Sequence, residues 1–159
     1  MSEDGDAGVD EVTSAMLTAS RLLVAISARS LAAVGGAVTP PQFRLLVVLS
    51  AQGPSKLVTL AGRLEVNPST AMRMVDRLAA AGLVRREASP ESGREIRIQV
   101  TAAGRGIVDD VTARRRADIA RVVSRMPAGQ RHALVDSLRA FAEAGGEPPV
   151  TAVAELGWA

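Results

Sequence analysis

No cysteine occurs in the 159 residues. Disulfides, thiolate zinc sites, cysteine nucleophiles and thiol redox sensors are thereby excluded. Histidine occurs once, at His132. That is too few for a His-rich metal site and poor support for a serine–histidine triad; on a late helix it reads as a surface or packing residue. Tyrosine is absent and aromatics make up 2 % of the chain, which argues against stacking on single-stranded bases. The apolar runs are too short to span a bilayer. The acidic N-terminus lacks the basic-then-apolar layout of a secretory signal. The expected compartment is the cytoplasm, with no membrane, metal or cofactor among the partners. No convergent set of acids, bases and nucleophiles is present, so an enzyme is not expected.

What is present suffices to fold. Apolar residues form 47 % of the chain, enough for one domain with a real core or for two small lobes. The net charge of +2 is unevenly spread. Residues 1–11 hold five acids and no base, whereas residues 56–105 hold nine Lys or Arg against five Asp or Glu. Positive charge concentrated in the middle of the chain has the form of a nucleic-acid footprint.

The middle begins with a capping signature. In "TPPQFRLLVVLSAQG", Thr39 caps, proline fills the first turn and Gln42 completes a Thr-x-x-Gln box. Phe43, Leu46, Val47 and Leu49 or Ser50 point inward from this helix, which Gly53-Pro54 stops. "LVTLAGRLEV" gives a short helix with Leu57, Leu60, Ala61 and Leu64 apolar. "EVN" then leads into "PSTAMRMVDRLAAAG", capped by Asn67. Stepping 100° per residue puts Ala71, Met74, Val75 and Leu78 on one face of this helix. Ser69, Thr70, Arg73 and Arg77 fall on the other, with Asp76 at its margin. An amphipathic surface helix with a solvated charged face would look the same; the neighbours decide. Two short helices joined by a three-residue turn, the second polar outside, form the helix-turn-helix pattern.

After Gly82 the period changes to two. In "LVRREASPESGREIRIQVT", Ile96, Ile98 and Val100 face one way and Glu95, Arg97 and Gln99 the other. "SPESG" supplies turn chemistry, giving a hairpin with arginines on its arms and Arg94 near its tip. Long helices flank this unit. Upstream, Val12, Met16, Ala19, Leu23 and Ile26 form one stripe and Leu17, Val24 and Leu31 a second, so this helix needs cover on two sides. Downstream, Ile107, Val108, Val111, Ile119, Val122, Val123 and Met126 line one long helix. Its Arg114-Arg115-Arg116 cluster is spaced to pair with Asp110 and Asp118. Leu134, Val135, Leu138 and Phe141 are expected to be buried on a last helix.

This order resembles the MarR family of winged-helix transcriptional regulators over roughly residues 10–144. "TPPQFRLLVVL" is similar to the family's second helix, "LAGRLEVNPSTAMRMVDRLAAAGLVRR" to its helix-turn-helix, and "SGREIRIQVTAAG" to its wing running into the long helix. The resemblance implies a mainly α fold with a small β-hairpin wing. Residues 1–9 would be a disordered acidic tail, 10–36 and 107–144 a helical dimerisation region, 37–106 the winged helix-turn-helix domain and 145–159 a C-terminal tail.

The function implied is that of a homodimeric, sequence-specific DNA-binding regulator, expected to be a repressor relieved by a small ligand. Helix 68–81 would enter the major groove of a near-palindromic operator, with the 84–100 hairpin as wing. Ser69, Thr70, Arg73 and Arg77 would face the groove; Arg85, Arg86, Arg94 and Arg97 would contact DNA from the wing. Where the family's wing commonly has an aspartate two residues before the tip arginine, this chain has Ser92, a weaker orienting group for Arg94. A small apolar or phenolic effector would bind between the two regions, with Arg21, Phe43 and Arg44 as candidate pocket residues. The rival reading is a winged helix used for protein contact without specific DNA readout.

Overall fold

The computed structural model describes residues 3–36 and 38–146, with side chains from residue 8 onward. The elements are α1 (Glu3–Ala32), α2 (Pro40–Gln52), α3 (Leu57–Arg63), α4 (Pro68–Ala80), β1 (Val84–Ala88), β2 (Ile96–Val100), α5 (Ala102–Ser124) and α6 (Ala128–Ala144). The fold is therefore mainly helical with one small antiparallel hairpin.

The helix boundaries follow local chemistry. Thr39 Oγ1 accepts from the Gln42 amide while Gln42 Oε1 accepts from the Thr39 amide at 2.9 Å, a complete capping box at the start of α2. Asn67 Oδ1 accepts from the Thr70 amide at 2.9 Å and starts α4. The end of α4 is a Schellman turn: Gly82, at φ 72°, donates to Ala79 O, and Leu83 N–H reaches back to Leu78 O. Leu78 and Leu83 both enter the core, so the turn is closed by an apolar contact as well as by hydrogen bonds.

That core is built from α2, α3, α4, the hairpin and the first turns of α5. Leu45, Leu46, Leu49, Leu60, Val75 and Val108 are fully enclosed. Leu45, not expected inward, is buried, while Phe43 and Val47 are half-buried. α2 is apolar around most of its circumference, so periodicity alone does not select its inner face. The hairpin pairs Val84 with Val100 and Arg86 with Ile98. Ile98 also exchanges backbone hydrogen bonds with Ser55, at 3.0 and 2.8 Å, which adds a one-residue third strand. Ile98 and Val100 face inward as expected, but Ile96 is 60 % exposed. It lies beyond the Ser55 pairing, where the hairpin projects past the core.

The flanking helices depart further from expectation. α1 is helical through residues 3–9, where a disordered tail was expected. No proline interrupts the chain before Pro40, and extending an existing helix costs far less than nucleating one. Within α1, Gly8–Ala32 is long and apolar enough, by length and composition, to cross a membrane, with mean hydropathy 1.3. Thr18, Ser20, Ser27 and Ser30 each donate to a carbonyl one turn back, so their hydroxyls are satisfied within the helix. Ile26 and Ser30 are buried against the rest of the protomer, while Val12, Leu17 and Val24 are more than half exposed. α6 buries none of its residues. Val135, Leu138 and Phe141, expected inside, are 45 %, 45 % and 57 % exposed, because the apolar stripe of α6 finds no partner surface within one protomer. The expected C-terminal tail over 145–159 lies almost wholly outside the described residues.

Candidate nucleic-acid interface

The candidate recognition element is α4. Ala71, Val75 and Leu78 seal it to the core and Met74 packs beside them. Glu65, at φ 54°, supplies the left-handed residue that lets the chain reverse between α3 and α4. Its amide donates to Gly62 O and the Val66 amide to Ala61 O, so the turn is held by backbone bonds.

The opposite face is exposed along Ser69, Met72, Arg73 and Asp76, spaced i, i+3, i+4 and i+7. Thr70 is half-buried, and both Thr70 and Arg77 turn toward α2. There they line a trough of about 320 Å³ with Thr39, Pro41, Gln42, Arg73 and Met74. The four residues expected to face a groove are thus brought together, with Ser69 and Arg73 at the crest and Thr70 and Arg77 on the flank. Ser69 donates to the Asn67 side chain at 2.7 Å and Arg73 to Thr70 Oγ1 at 3.2 Å. The cap therefore also orients the polar crest.

The wing arginines are in different states. Arg85 pairs with Glu87 at 2.7 Å and with Gln99 Oε1 across the hairpin. Arg97 holds Glu91 at 3.1 Å and Glu95 at 3.4 Å. Arg86 reaches off the hairpin onto α4, where it pairs with Asp76 and donates to Met72 Sδ at 3.5 Å. Arg94 is exposed at the hairpin tip and pairs with none of the described residues. At the base of the wing, Lys56 meets Glu95 at 2.9 Å. The hydrogen bond from Lys56 holds the Glu95 carboxyl below the usual glutamate range, against some desolvation and with further help from Arg97. Three of the four wing arginines expected on DNA thus act first as ties within the protein. Glu87 and Glu95 lie two residues from their arginines, whereas Gln99 across the hairpin and Asp76 on α4 are partners that spacing along the chain does not reveal.

A model of the MarR family matches residues 38–96. The repressor MdtR of Bacillus subtilis is 36 % identical over 87 residues, 55 % of this chain and 56 % of that protein. The repressor Rv2887 of Mycobacterium tuberculosis is 35 % identical over 94 residues, 59 % of this chain and 68 % of that protein. The crystal structure of RV1404 from Mycobacterium tuberculosis is 55 % identical, with a TM-score of 0.81 over 89 % of this chain and 96 % of that one. The chain belongs to the MarR family. It spans just over half the length of MdtR. Membership accounts for the coupling of a helix-turn-helix to a hairpin and a following long helix, and it places the protein among transcriptional regulators rather than enzymes.

In this MarR-family chain a second concavity, of about 370 Å³, lies between α1, α2 and α5. Leu23, Val24, Leu31, Pro40, Phe43 and Val111 give it apolar walls, with Ser20, Ser27 and Arg115 as polar groups. Phe43 is where the sequence placed it. Arg21 and Arg44 are exposed and do not line the cavity. The lining cation is Arg115, from the cluster whose spacing suggests ion pairs along the helix surface. In that run Asp118 pairs with Arg121 instead of with Arg114. An unpaired arginine beside an apolar stripe was the signal for the cavity.

Proposed function

We propose that this chain is a sequence-specific DNA-binding transcriptional repressor that works as a homodimer in the cytoplasm. The observation that carries the proposal is the two-faced α4. Ala71, Val75 and Leu78 anchor it while Ser69 and Arg73 stand proud, with an Arg-bearing hairpin beside it. In the major groove, Arg73 can bond a guanine edge bidentately, and Ser69 a base or a phosphate. Arg73 and Arg77 both line the trough between α2 and α4, which supports a contact from them to a backbone phosphate. Arg94 at the wing tip would enter the adjoining minor groove, where width and potential matter more than base identity.

The uncovered faces of α1 and α6 support pairing with a second copy. Residues 10–36 and 107–144 serve as the dimerisation region and 37–106 as the DNA-binding domain in this proposal. A second copy suits α1 better than lipid does, because Ser20 and Ser27 line a cavity on it with Arg115. That cavity touches the dimerisation helices α1 and α5 and the DNA-binding helix α2. A ligand with an apolar body and one phenolic or acidic group, facing Arg115, would bias their relative placement and relieve repression.

The test is to sequence genomic DNA fragments retained by the purified protein. A single near-palindromic motif with half-sites about 10 base pairs apart is expected for a two-fold dimer. Fragments without a shared motif would overturn the proposal.

A further inference from the structure

We infer that Met72 is a specificity residue, packing on the 5-methyl group of one thymine in each half-site. The inference rests on the proposal that α4 enters the major groove. Met72 is 42 % exposed and lies on the wing-side flank of the exposed face, next to Asp76 and roughly 100° around the helix from the buried Ala71. Most of the other large exposed apolar side chains belong to α1 or α6. This thioether at the edge of a polar face is not among the residues packed on the core.

The major groove offers one apolar group, the thymine methyl. Asp76 beside Met72 would repel phosphates if it were free. Arg86 pairs with that carboxylate, and the same guanidinium donates to Met72 Sδ at 3.5 Å. The pair cancels the negative charge on the crest and fixes the methionine against the wing. What remains facing outward is an apolar knob next to Arg73, suited to a thymine adjoining a guanine.

The experiment uses the operator recovered from genomic fragments. Each thymine of one half-site is replaced in turn by deoxyuridine, which removes the methyl and keeps the pairing. Affinity is measured for the wild type, Met72→Ala, Met72→Leu and Arg73→Ala. At one position deoxyuridine should weaken wild-type binding about fourfold, the worth of one methyl taken from water. Met72→Leu should keep that penalty, and Met72→Ala should lose it while discriminating less between thymine and cytosine there. The inference is overturned if no deoxyuridine weakens the wild type, or if the penalty persists in full in Met72→Ala. If Arg73→Ala also binds as the wild type does, the groove assignment of α4 falls with it; if Arg73→Ala is impaired, only the role of Met72 falls.

Discussion

Gly104 is the residue at which substitution should expose how tightly α5 is joined to the DNA-binding unit. It sits in the first turn of α5, where Thr101 Oγ1 accepts from the Gly104 amide at 3.1 Å and donates to Gly82 O at 2.7 Å. A Cβ at Gly104 would lie 2.2 Å from the Leu83 carbonyl oxygen and 2.8 Å from Val100 Cγ2. Those separations fall short of ordinary contact by roughly 1 Å. The carbonyl cannot yield cheaply, because it also accepts from the Thr101 amide at 3.0 Å. Forced overpacking of this kind costs about 1–3 kcal/mol, and more where backbone must move. Removing a helical glycine returns up to about 1 kcal/mol. Gly104→Ala should therefore lose at least about 2 kcal/mol net, because here it is backbone that must move. Gly106, two residues on in the same helix, has nothing within 4 Å of the corresponding position. Gly106→Ala should gain about 0.4–1 kcal/mol. The assay is urea denaturation followed by circular dichroism at one fixed protomer concentration, since subunit association contributes to apparent stability. A Gly104→Ala protein as stable as the wild type would refute the reasoning.

Further outcomes are expected. Arg73→Ala and Arg77→Ala should weaken operator binding and relax preference at particular base pairs by about 1–3 kcal/mol. Arg94→Ala should weaken binding with little change in preferred sequence and lower the salt slope by about one; titrations against an operator library at several salt concentrations separate the two classes. Glu95 titrates below the usual glutamate range when folded, so its contribution is present at neutral pH and is lost as pH falls through that lowered value. The stability gap between wild type and Glu95→Gln should accordingly be seen at pH 7 and close in acid. Phe141→Glu should convert a dimer to a monomer at micromolar concentration in the ultracentrifuge; an unaltered dimer would remove α6 from the proposed interface. Arg115→Ala should weaken an aromatic carboxylate more than its neutral amide, measured by calorimetry on both ligands.

The parts of this fold that the sequence made legible are those determined within four residues of themselves. The Thr39–Gln42 box, the Asn67 cap, Gly82 past the end of α4 and the two-residue alternation of β2 each carry their own geometry. So do the inner and outer faces of α4, where Ser69, Arg73 and Arg77 are exposed and Thr70 is half-buried, with Met72 and Asp76 exposed beside them. Features that depend on a distant partner stayed hidden. The Ser55–Ile98 pairing is one residue long and leaves no periodicity. Arg86 looks like any other wing arginine until α4 brings Asp76 to it. Leu134, Val135, Leu138 and Phe141 were legible as an apolar stripe, but a stripe does not say which molecule covers it.

The bareness of α6 has a consequence for abundance. A 17-residue helix that buries nothing in its own protomer has little more than the marginal stability of an isolated helix in water. Its ties to the neighbouring helix are the Arg131 bonds to Ser124 O and Met126 O, at 3.1 and 2.9 Å, on an exposed surface. A lone subunit would thus fray from its C-terminal end, and the frayed segment is the kind of opened state that proteases cut. On the proposed pairing, subunits that fail to find a mate would be cleared, and the surviving population would consist of assembled pairs. Synthesis rate would then set occupancy of the operator steeply, because doubling the number of chains more than doubles the number of pairs when pairing is incomplete.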